Sequence, residues 1–359
     1  MTPSAPVHQG LPGPVALISS GETTAHAGVL YDRLCNGVTS PFQIAILETP
    51  AGFQPNSEAV ARKVADYLRV RLQNLHPTIT LLPARARGSA FSPDDPATTE
   101  LLRQAQMIFL GAGSPTYTVR QLVDSLAWQR VLARQRHGTP LVTASAATIA
   151  MGAFALPVYE IFKVGADLHW SAGLDFFGPY GLHLVFLPHW DNSEGGSELD
   201  TSRCFLGQER FNRMLELLPA GLTVIGIDEH TSLLIDLSGG VATVLGRGGV
   251  TIIKPDRCEE RYERRAQFAL DHLGAFRIPD LATGLEPNVW ADMAKPSTVE
   301  PTTAEEHPTL PPDVWKLVTA RQEARAARDW SAADQIRGQL ADLGWQIRDT
   351  PDGPRAERM

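Results

Sequence analysis

The stretch Leu141-Val142-Thr143-Ala144-Ser145-Ala146-Ala147 decides the fold. A short apolar run ends in small residues and a hydroxyl, and the helical-looking stretch 148–154 follows directly. That is the pattern of a buried strand entering a tight turn and then a helix. A serine at such a corner has two roles open to it. The ordinary one is helix N-cap. The other is nucleophile, its hydroxyl standing above the strand end while N–H groups of the helix start face a developing oxyanion.

The same alternation extends in both directions. Val15-Ala16-Leu17-Ile18, Ile44-Ala45-Ile46-Leu47, Ile79-Thr80-Leu81-Leu82 and Met107-Ile108-Phe109-Leu110 read as strands. A helix is expected from Ser57, with Val60, Val64, Tyr67 and Leu68 on one face, and another over 118–134. Strands apolar on both faces, separated by helices, imply a parallel sheet covered on both sides. The expected class is therefore α/β, a three-layer sandwich with a mostly parallel sheet. Functional groups in such sheets gather at the C-terminal strand ends. Glu22, Gly111-Ala112-Gly113 and Ser145 all fall there.

Further along, His183 to Pro188 reads as a strand ending at His189, and a helix is expected over 209–218. Leu222 to Ile227 is the next strand of the sheet, ending at Asp228-Glu229-His230. Leu233 to Asp236 and Val241 to Leu245, joined by Ser238-Gly239-Gly240, read as an antiparallel addition on the sheet edge. Four divisions are expected: a disordered N-terminus over 1–13, the α/β domain over 14–278, a Pro/Thr/Glu-rich linker over 279–312, and a helical hairpin over 313–359. In that last module two helices meet near Asp329-Trp330, with Ile336, Leu340 and Leu343 as an apolar stripe.

The 359 residues are 43% hydrophobic with a net charge of −8, which argues against a general nucleic-acid binder. Cys35, Cys204 and Cys258 lie far apart and form no zinc or disulfide spacing, so neither a metal nor a cofactor is expected. No apolar run approaches the roughly 18 residues of a membrane span, and no signal-peptide pattern opens the chain. A soluble cytoplasmic protein without a membrane partner is the expectation.

A nucleophilic serine needs a base, and the base needs an orienting acid. His189, in Leu187-Pro188-His189-Trp190-Asp191-Asn192, and Glu229, in Gly226-Ile227-Asp228-Glu229-His230, each follow a strand expected in the same sheet as Ser145. Asp191, Asp228 and His230 are neighbours that spacing alone leaves in contention. Gly111-Ala112-Gly113 offers close backbone approach and free N–H groups, or simply a flexible strand-to-helix turn. Arg203, Arg210, Glu160 and Lys163 are further candidates for substrate contact. Gly246-Arg247-Gly248-Gly249 precedes no helix and is no phosphate cradle.

At these residues the chain resembles the serine peptidases of the cyanophycinase and aspartyl dipeptidase group, whose catalytic domain is similar to class I glutamine amidotransferases. The resemblance spans roughly 15–271. Thr143-Ala144-Ser145-Ala146-Ala147 partly matches that family's Gly-x-Ser-Ala-Gly turn, Pro188-His189 its histidine segment, and Gly226-Ile227-Asp228-Glu229 its acidic segment. The resemblance implies a Ser145, His189, Glu229 triad and an oxyanion hole from the N–H groups of Gly113 and Ala146. It implies a serine-type peptidase or isopeptidase that acts on small peptides or amino-acid derivatives through an acyl-enzyme. Thr143 and Ala147 depart from the family's glycines, and Ser114-Pro115-Thr116-Tyr117 replaces its usual polar turn. The missing glycines favour the alternative, a catalytically silent domain of the same fold acting as a binding or regulatory module linked to tRNA through the C-terminal tail, and the replaced polar turn means that the family's substrates are not carried over.

The segment from Ala324 to Arg337, with Leu343-Gly344 and Asp349-Thr350-Pro351-Asp352-Gly353, is similar to the C-terminus of cysteinyl-tRNA synthetases. Neither His-Ile-Gly-His nor Lys-Met-Ser-Lys-Ser occurs, so the resemblance implies an appended module and not aminoacylation. An RNA partner through its arginines, or a protein partner, is the expectation there.

Overall fold

The computed structural model describes residues 10–38, 40–294, 311–326, 329–350 and 353–358. It divides into two units, 1–302 and 303–359. In chain order the first runs β1 (Val15–Ile18), α1 (Ala25–Leu34), β2 (Gln43–Leu47), α2 (Ser57–Arg71), β3 (Thr78–Leu82), α3 (Pro96–Thr99), β4 (Met107–Leu110), α4 (Pro115–Leu122) and α5 (Leu126–Arg136). Next come β5 (Leu141–Ala144), α6 (Ala146–Ala150), β6 (Phe154–Ala155), β7 (Ser171–Ala172), β8 (Leu184–Leu187), α7 (Gly207–Glu216) and β9 (Thr223–Ile227). It closes with β10 (Thr231–Asp236), β11 (Val241–Gly246), β12 (Val250–Ile253), β13 (Glu259–Tyr262), β14 (Gln267–Ala269) and α8 (Pro287–Met293).

An eight-stranded sheet in the order β14-β11-β10-β1-β5-β4-β2-β3 organises the unit. Strands β1, β5, β4, β2 and β3 run parallel. The β10-β11 hairpin adds antiparallel beside β1, as its sequence pattern implied. Alternation along each strand sorts the core. Val15 and Leu17 enter one cluster, while Ala16 and Ile18 enter another with Leu30 and Tyr31 of α1 and Val64 and Leu68 of α2. Each of these Val, Leu and Ile side chains, withdrawn from water, contributes roughly 1.5–3 kcal/mol.

One expectation about the sheet fails, and the failure matters for the site. The strands leading to His189 and Glu229 do not extend the main sheet. They form a second sheet, in the order β13-β12-β9-β8, with β8 and β9 parallel. Its Phe186, Ile225, Ile227, Val250 and Ile252 pack on the same cluster as Val15 and Leu17. Strand pairing is a non-local choice between equally apolar edges, which strand pattern alone does not decide.

Several boundaries also move. The helix expected over 118–134 is two helices, because Asp124 takes φ 56° and Ser125 caps α5 by accepting the Trp128 N–H at 3.1 Å. The helix expected over 148–154 stops at Ala150, since the Ala153 N–H is drawn onto the Leu184 carbonyl at 2.7 Å. Of the N-terminus expected to be disordered, 1–9 lie outside the described residues. Pro12 and Gly13 are buried, and the Gly13 N–H donates to the Gln135 carbonyl at 2.7 Å.

The linker expected over 279–312 is folded in its first half, while 295–310 lie outside the described residues. Leu285, just before α8, and Val289 and Met293 on it pack against Ala133 of α5, and Trp290 stacks on His137 at 3.9 Å. Leu285, Val289 and Met293 recur at helical spacing inside a Pro-rich composition that conceals them.

The second unit holds α9 (Pro312–Ala326), α10 (Trp330–Asp342), β15 (Trp345–Thr350) and β16 (Gly353–Arg358). Asp329 caps α10 through the Ala332 N–H at 3.0 Å. Val314, Val318, Leu340, Trp345 and Ile347 form its core, with Ile336 packed against them. The module is thus two helices and a β-hairpin. Leu343, expected on the apolar stripe, is 51% exposed because the chain leaves α10 there.

Candidate active site

Ser145 occupies a turn with φ 51° and ψ −110°, a region that costs a non-glycine residue about 1–3 kcal/mol. Two anchors hold it there: its N–H donates to the Ile18 carbonyl at 3.0 Å, and its carbonyl accepts the Ile149 N–H at 3.1 Å. The side chain caps nothing on α6. Its Oγ lies instead 2.9 Å from Nε2 of His189. The N-cap role therefore does not describe this serine.

The residues that replace the expected glycines are accommodated. Thr143 is fully buried with its hydroxyl 3.0 Å from that of Thr148, which donates to the Ile18 carbonyl at 2.9 Å. With the Thr148 proton committed, Thr143 is the donor within the pair. Ala147 sits in the core between the two sheets. Neither side chain intrudes on the Ser145–His189 hydrogen bond.

His189 follows β8 at φ 55°, and its N–H donates to the Ser19 hydroxyl at 2.7 Å. Its Nδ1 lies 3.1 Å from Oε1 of Glu229. A carboxylate only accepts, so Nδ1 carries the proton and Nε2 presents a lone pair to the Ser145 hydroxyl. The Asn192 side chain donates to the same Glu229 oxygen at 2.9 Å, and Asp191 accepts the Glu229 N–H at 2.6 Å. The hydrogen bond from His189 first, and that from Asn192, hold the Glu229 carboxyl down at about 2 against partial burial.

The histidine and acid segments are locked to each other through Trp190. Its N–H donates to the Ile227 carbonyl at 3.1 Å, and its indole lies so close over β9 that a Cβ on Gly226 would meet it at 2.2 Å. Glycine is required there by this approach.

None of the neighbouring candidates stands in for His189 or Glu229. Asp228 is buried, accepting from Arg261 at 2.6 Å and from the Gly249 N–H at 2.8 Å. The ring Nδ1 of His230 is buried against Gly21 with no partner among the described residues. Gly113 has the backbone of Pro50 where a Cβ would stand, at 1.8 Å. Among the described residues its N–H and that of Ala146 find no acceptor.

The candidates for substrate contact diverge. Arg203 lies over the Trp190 ring at 4.1 Å and donates to its carbonyl at 3.2 Å. Arg210 donates to the Leu206 and Phe205 carbonyls at 2.5 and 2.9 Å. Both arginines are thus engaged in bracing the chain around His189. Lys163 is exposed against the Phe162 ring at 5.1 Å. Glu160 accepts the Thr116 hydroxyl at 2.5 Å.

Three contributors escaped the sequence reading. Ser19, Ser20 and Asn192 carry no motif, yet Ser19 receives the His189 N–H and Ser20 receives the His230 N–H at 3.0 Å. Two hydroxyls directly after a buried strand end are the signal that was present.

Residues 307–354 match the family described as the cysteinyl-tRNA ligase anticodon binding domain. Over 41 residues the chain is 56% identical to the cysteine–tRNA ligase of Coxiella burnetii, covering 11% of this chain and 9% of the ligase. Over 42 residues it is 52% identical to that of Moorella thermoacetica, covering 12% and 9%. The chain therefore spans about a tenth of the length of these curated relatives. Among solved structures, a peptidase from an acI-B1 Actinobacterium is similar at a TM-score of 0.56 and 21% identity, over 72% of this chain and 97% of that one. That likeness establishes the fold of the first unit.

Proposed function

We propose that the first unit is a serine-type hydrolase, a peptidase or isopeptidase, acting on small peptides or amino-acid derivatives. The observation that carries this is the hydrogen-bonded series Ser145 Oγ, His189 Nε2 and Nδ1, Glu229 Oε1, at 2.9 and 3.1 Å. In this reading Ser145 attacks an amide carbonyl while His189 takes its proton, and His189 then returns the proton to the leaving amine. The N–H groups of Gly113 and Ala146 receive the oxyanion. Water repeats the sequence on the acyl-enzyme. Glu229, kept ionised by its hydrogen bonds, holds the imidazole in the required tautomer throughout. A fluorophosphonate should label Ser145 in the wild type and leave Ser145→Ala unmodified. Folded wild-type protein that resists labelling would favour the silent-domain alternative.

For the second unit we propose contact with RNA, on the strength of its match over 307–354. The chain bears arginines there at 321, 325, 328, 337 and 348, interleaved with acidic residues. Retention of a tRNA by the full chain, weakening with salt and lost on removal of 303–359, is the expected result. Equal retention by the truncated chain would refute it.

Among the described residues no helix is long and apolar enough to cross a membrane.

A further inference from the structure

The N–H of Gly113 is held in place by backbone that belongs to another loop. Ser114 gives its N–H to the Pro50 carbonyl at 2.9 Å, and that carbonyl oxygen stands 1.8 Å from where a Cβ on Gly113 would be. Hydrogen bond and close contact together press Gly113 against the turn Thr49–Ala51. Glu48, Pro50 and Ala51 line one cavity with Gly111 and Ala112, the residues that lead into Gly113. The position of Pro50 therefore sets the direction of the Gly113 N–H.

Pro50 is in turn held by a buried ion pair. The Glu48 carbonyl accepts the Ala51 N–H at 3.1 Å, which closes the turn, and the Glu48 side chain is only 2% exposed. Its Oε2 accepts from Arg85 Nε at 2.7 Å and from the Ser57 hydroxyl at 3.2 Å. A carboxylate so far withdrawn from water is costly unless it is paired. Arg85 returns the constraint through its backbone. A Cβ on Gly52 would meet the Arg85 carbonyl oxygen at 2.7 Å, and the same oxygen accepts the Tyr117 hydroxyl at 2.8 Å. Tyr117 lies on α4, which begins directly after Ser114. Thr49 adds a buried hydroxyl bond to the Ala84 carbonyl at 2.5 Å. The chain after β2, the chain after β3 and the start of α4 thus close a ring on Gly113, and the Glu48–Arg85 pair ties the first two together.

We propose that Glu48, acting through Arg85 and Pro50, is the positioning residue of the oxyanion donor at Gly113. The inference rests on the hydrolase reading of Ser145, in which the Gly113 N–H receives the oxyanion. Such a donor works by being fixed before the charge develops. Loosening the turn lets the N–H drift, which weakens the transition state more than the bound substrate. His189 and Glu229 follow strands of the second sheet, outside this ring, so the general base is unaffected.

The test uses 4-nitrophenyl acetate as substrate and a small boronic acid as a mimic of the tetrahedral intermediate, with rates normalised to the serine that a fluorophosphonate titrates. Glu48→Gln keeps the volume of the side chain and removes its charge. It should lower kcat about tenfold, a part of the roughly 10²–10³ lost with a whole oxyanion donor, and leave KM within about twofold. Affinity for the boronic acid should fall by the same factor as kcat. The pH profile of kcat/KM should keep its position and shape. Arg85→Gln, at the partly exposed end of the pair, should give the same pattern, and carries the test alone if Glu48→Gln fails to fold. The double variant should be no worse than either single. Glu58→Gln, exposed and 3.9 Å from Arg85, is the control and should change none of these readouts. Loss expressed in KM, a displaced pH profile, additive losses in the double variant, or no loss in folded variants would each overturn the assignment, while wild-type turnover upholds the hydrolase reading. Wild type that neither labels nor turns over defeats that reading, and the positioning role falls with it.

Discussion

The corners at Ser145 and His189 are built alike and supported differently. Each is a non-glycine residue at positive φ within two residues of the end of a short buried strand, 51° for Ser145 and 55° for His189. Each gives its N–H to the last residue of β1 or the one after it, Ser145 to the Ile18 carbonyl and His189 to the Ser19 hydroxyl. The serine corner belongs to the main sheet and is stiffened from within by the buried Thr143–Thr148 hydroxyl pair. The histidine corner belongs to the second sheet and is stiffened from outside, by Trp190 over Gly226 and by Asn192 and Asp191 on Glu229. The end of β1 is thus where two separately built sheets are brought into register. Precision between them depends on that seam as well as on either corner.

The largest way to break this comparison is at the acid. Glu229→Gln should lower the acylation rate of Ser145 by on the order of 10³–10⁴, because the His189 tautomer is no longer enforced. Asp228→Asn, one residue away but turned toward Arg261, should leave that rate near wild type. Pre-steady-state labelling of both variants measures the difference, and equal losses would mean that the acid is misassigned.

Thr148→Val addresses the serine corner. It removes the donor to the Ile18 carbonyl and the acceptor of Thr143, both buried, and should cost about 1–3 kcal/mol in urea unfolding. An unchanged midpoint would show that this corner does not depend on the hydroxyl pair.

The seam itself is tested by Ser19→Ala, which deprives the His189 N–H of its acceptor. A roughly tenfold fall in kcat is expected with KM little changed, together with a loss of about 1–3 kcal/mol of stability from the buried N–H left without an acceptor, and restoration of both by Ser19→Thr. A fall in stability without a fall in kcat would make Ser19 merely structural.

The smallest effect concerns acid. Glu229 is held at about 2 against an ordinary value of 4.5, so its ionised interactions stabilise the fold fully above 4.5. They are lost as pH falls from 4.5 toward 2. The gap in thermal midpoint between wild type and Glu229→Gln should therefore narrow over that interval. A gap that widens on acidification would contradict the sign.

Part of this site was legible because strand ends are marked by composition. Ser145, His189 and Glu229 each follow an apolar run, and chain order placed them in sequence. Ser19, Ser20 and Thr148 were not legible, because each reaches the site through a hydrogen bond that spans 170, 210 and 130 residues of chain respectively. Glu160 was picked out only as a charge near the serine helix. Its hydrogen bond with Thr116 joins residues far apart in the chain. The docked helix α8 and its approach stood in the sequence as Leu285, Val289 and Met293, obscured by the prolines around them.

By itself the sequence determined the parallel sheet, its antiparallel β10-β11 edge and the helical pair near the C-terminus. These follow from local periodicity and turn chemistry, which neighbouring residues carry together. Only the tertiary structure decided that His189 and Glu229 rise from a second sheet, that Thr143 finds a partner in Thr148, and that Ser145 meets His189 rather than capping its helix. Each of those is a choice among partners distant in the chain. Such choices turn on which apolar faces and which buried polar groups are satisfied together, and no local pattern records that.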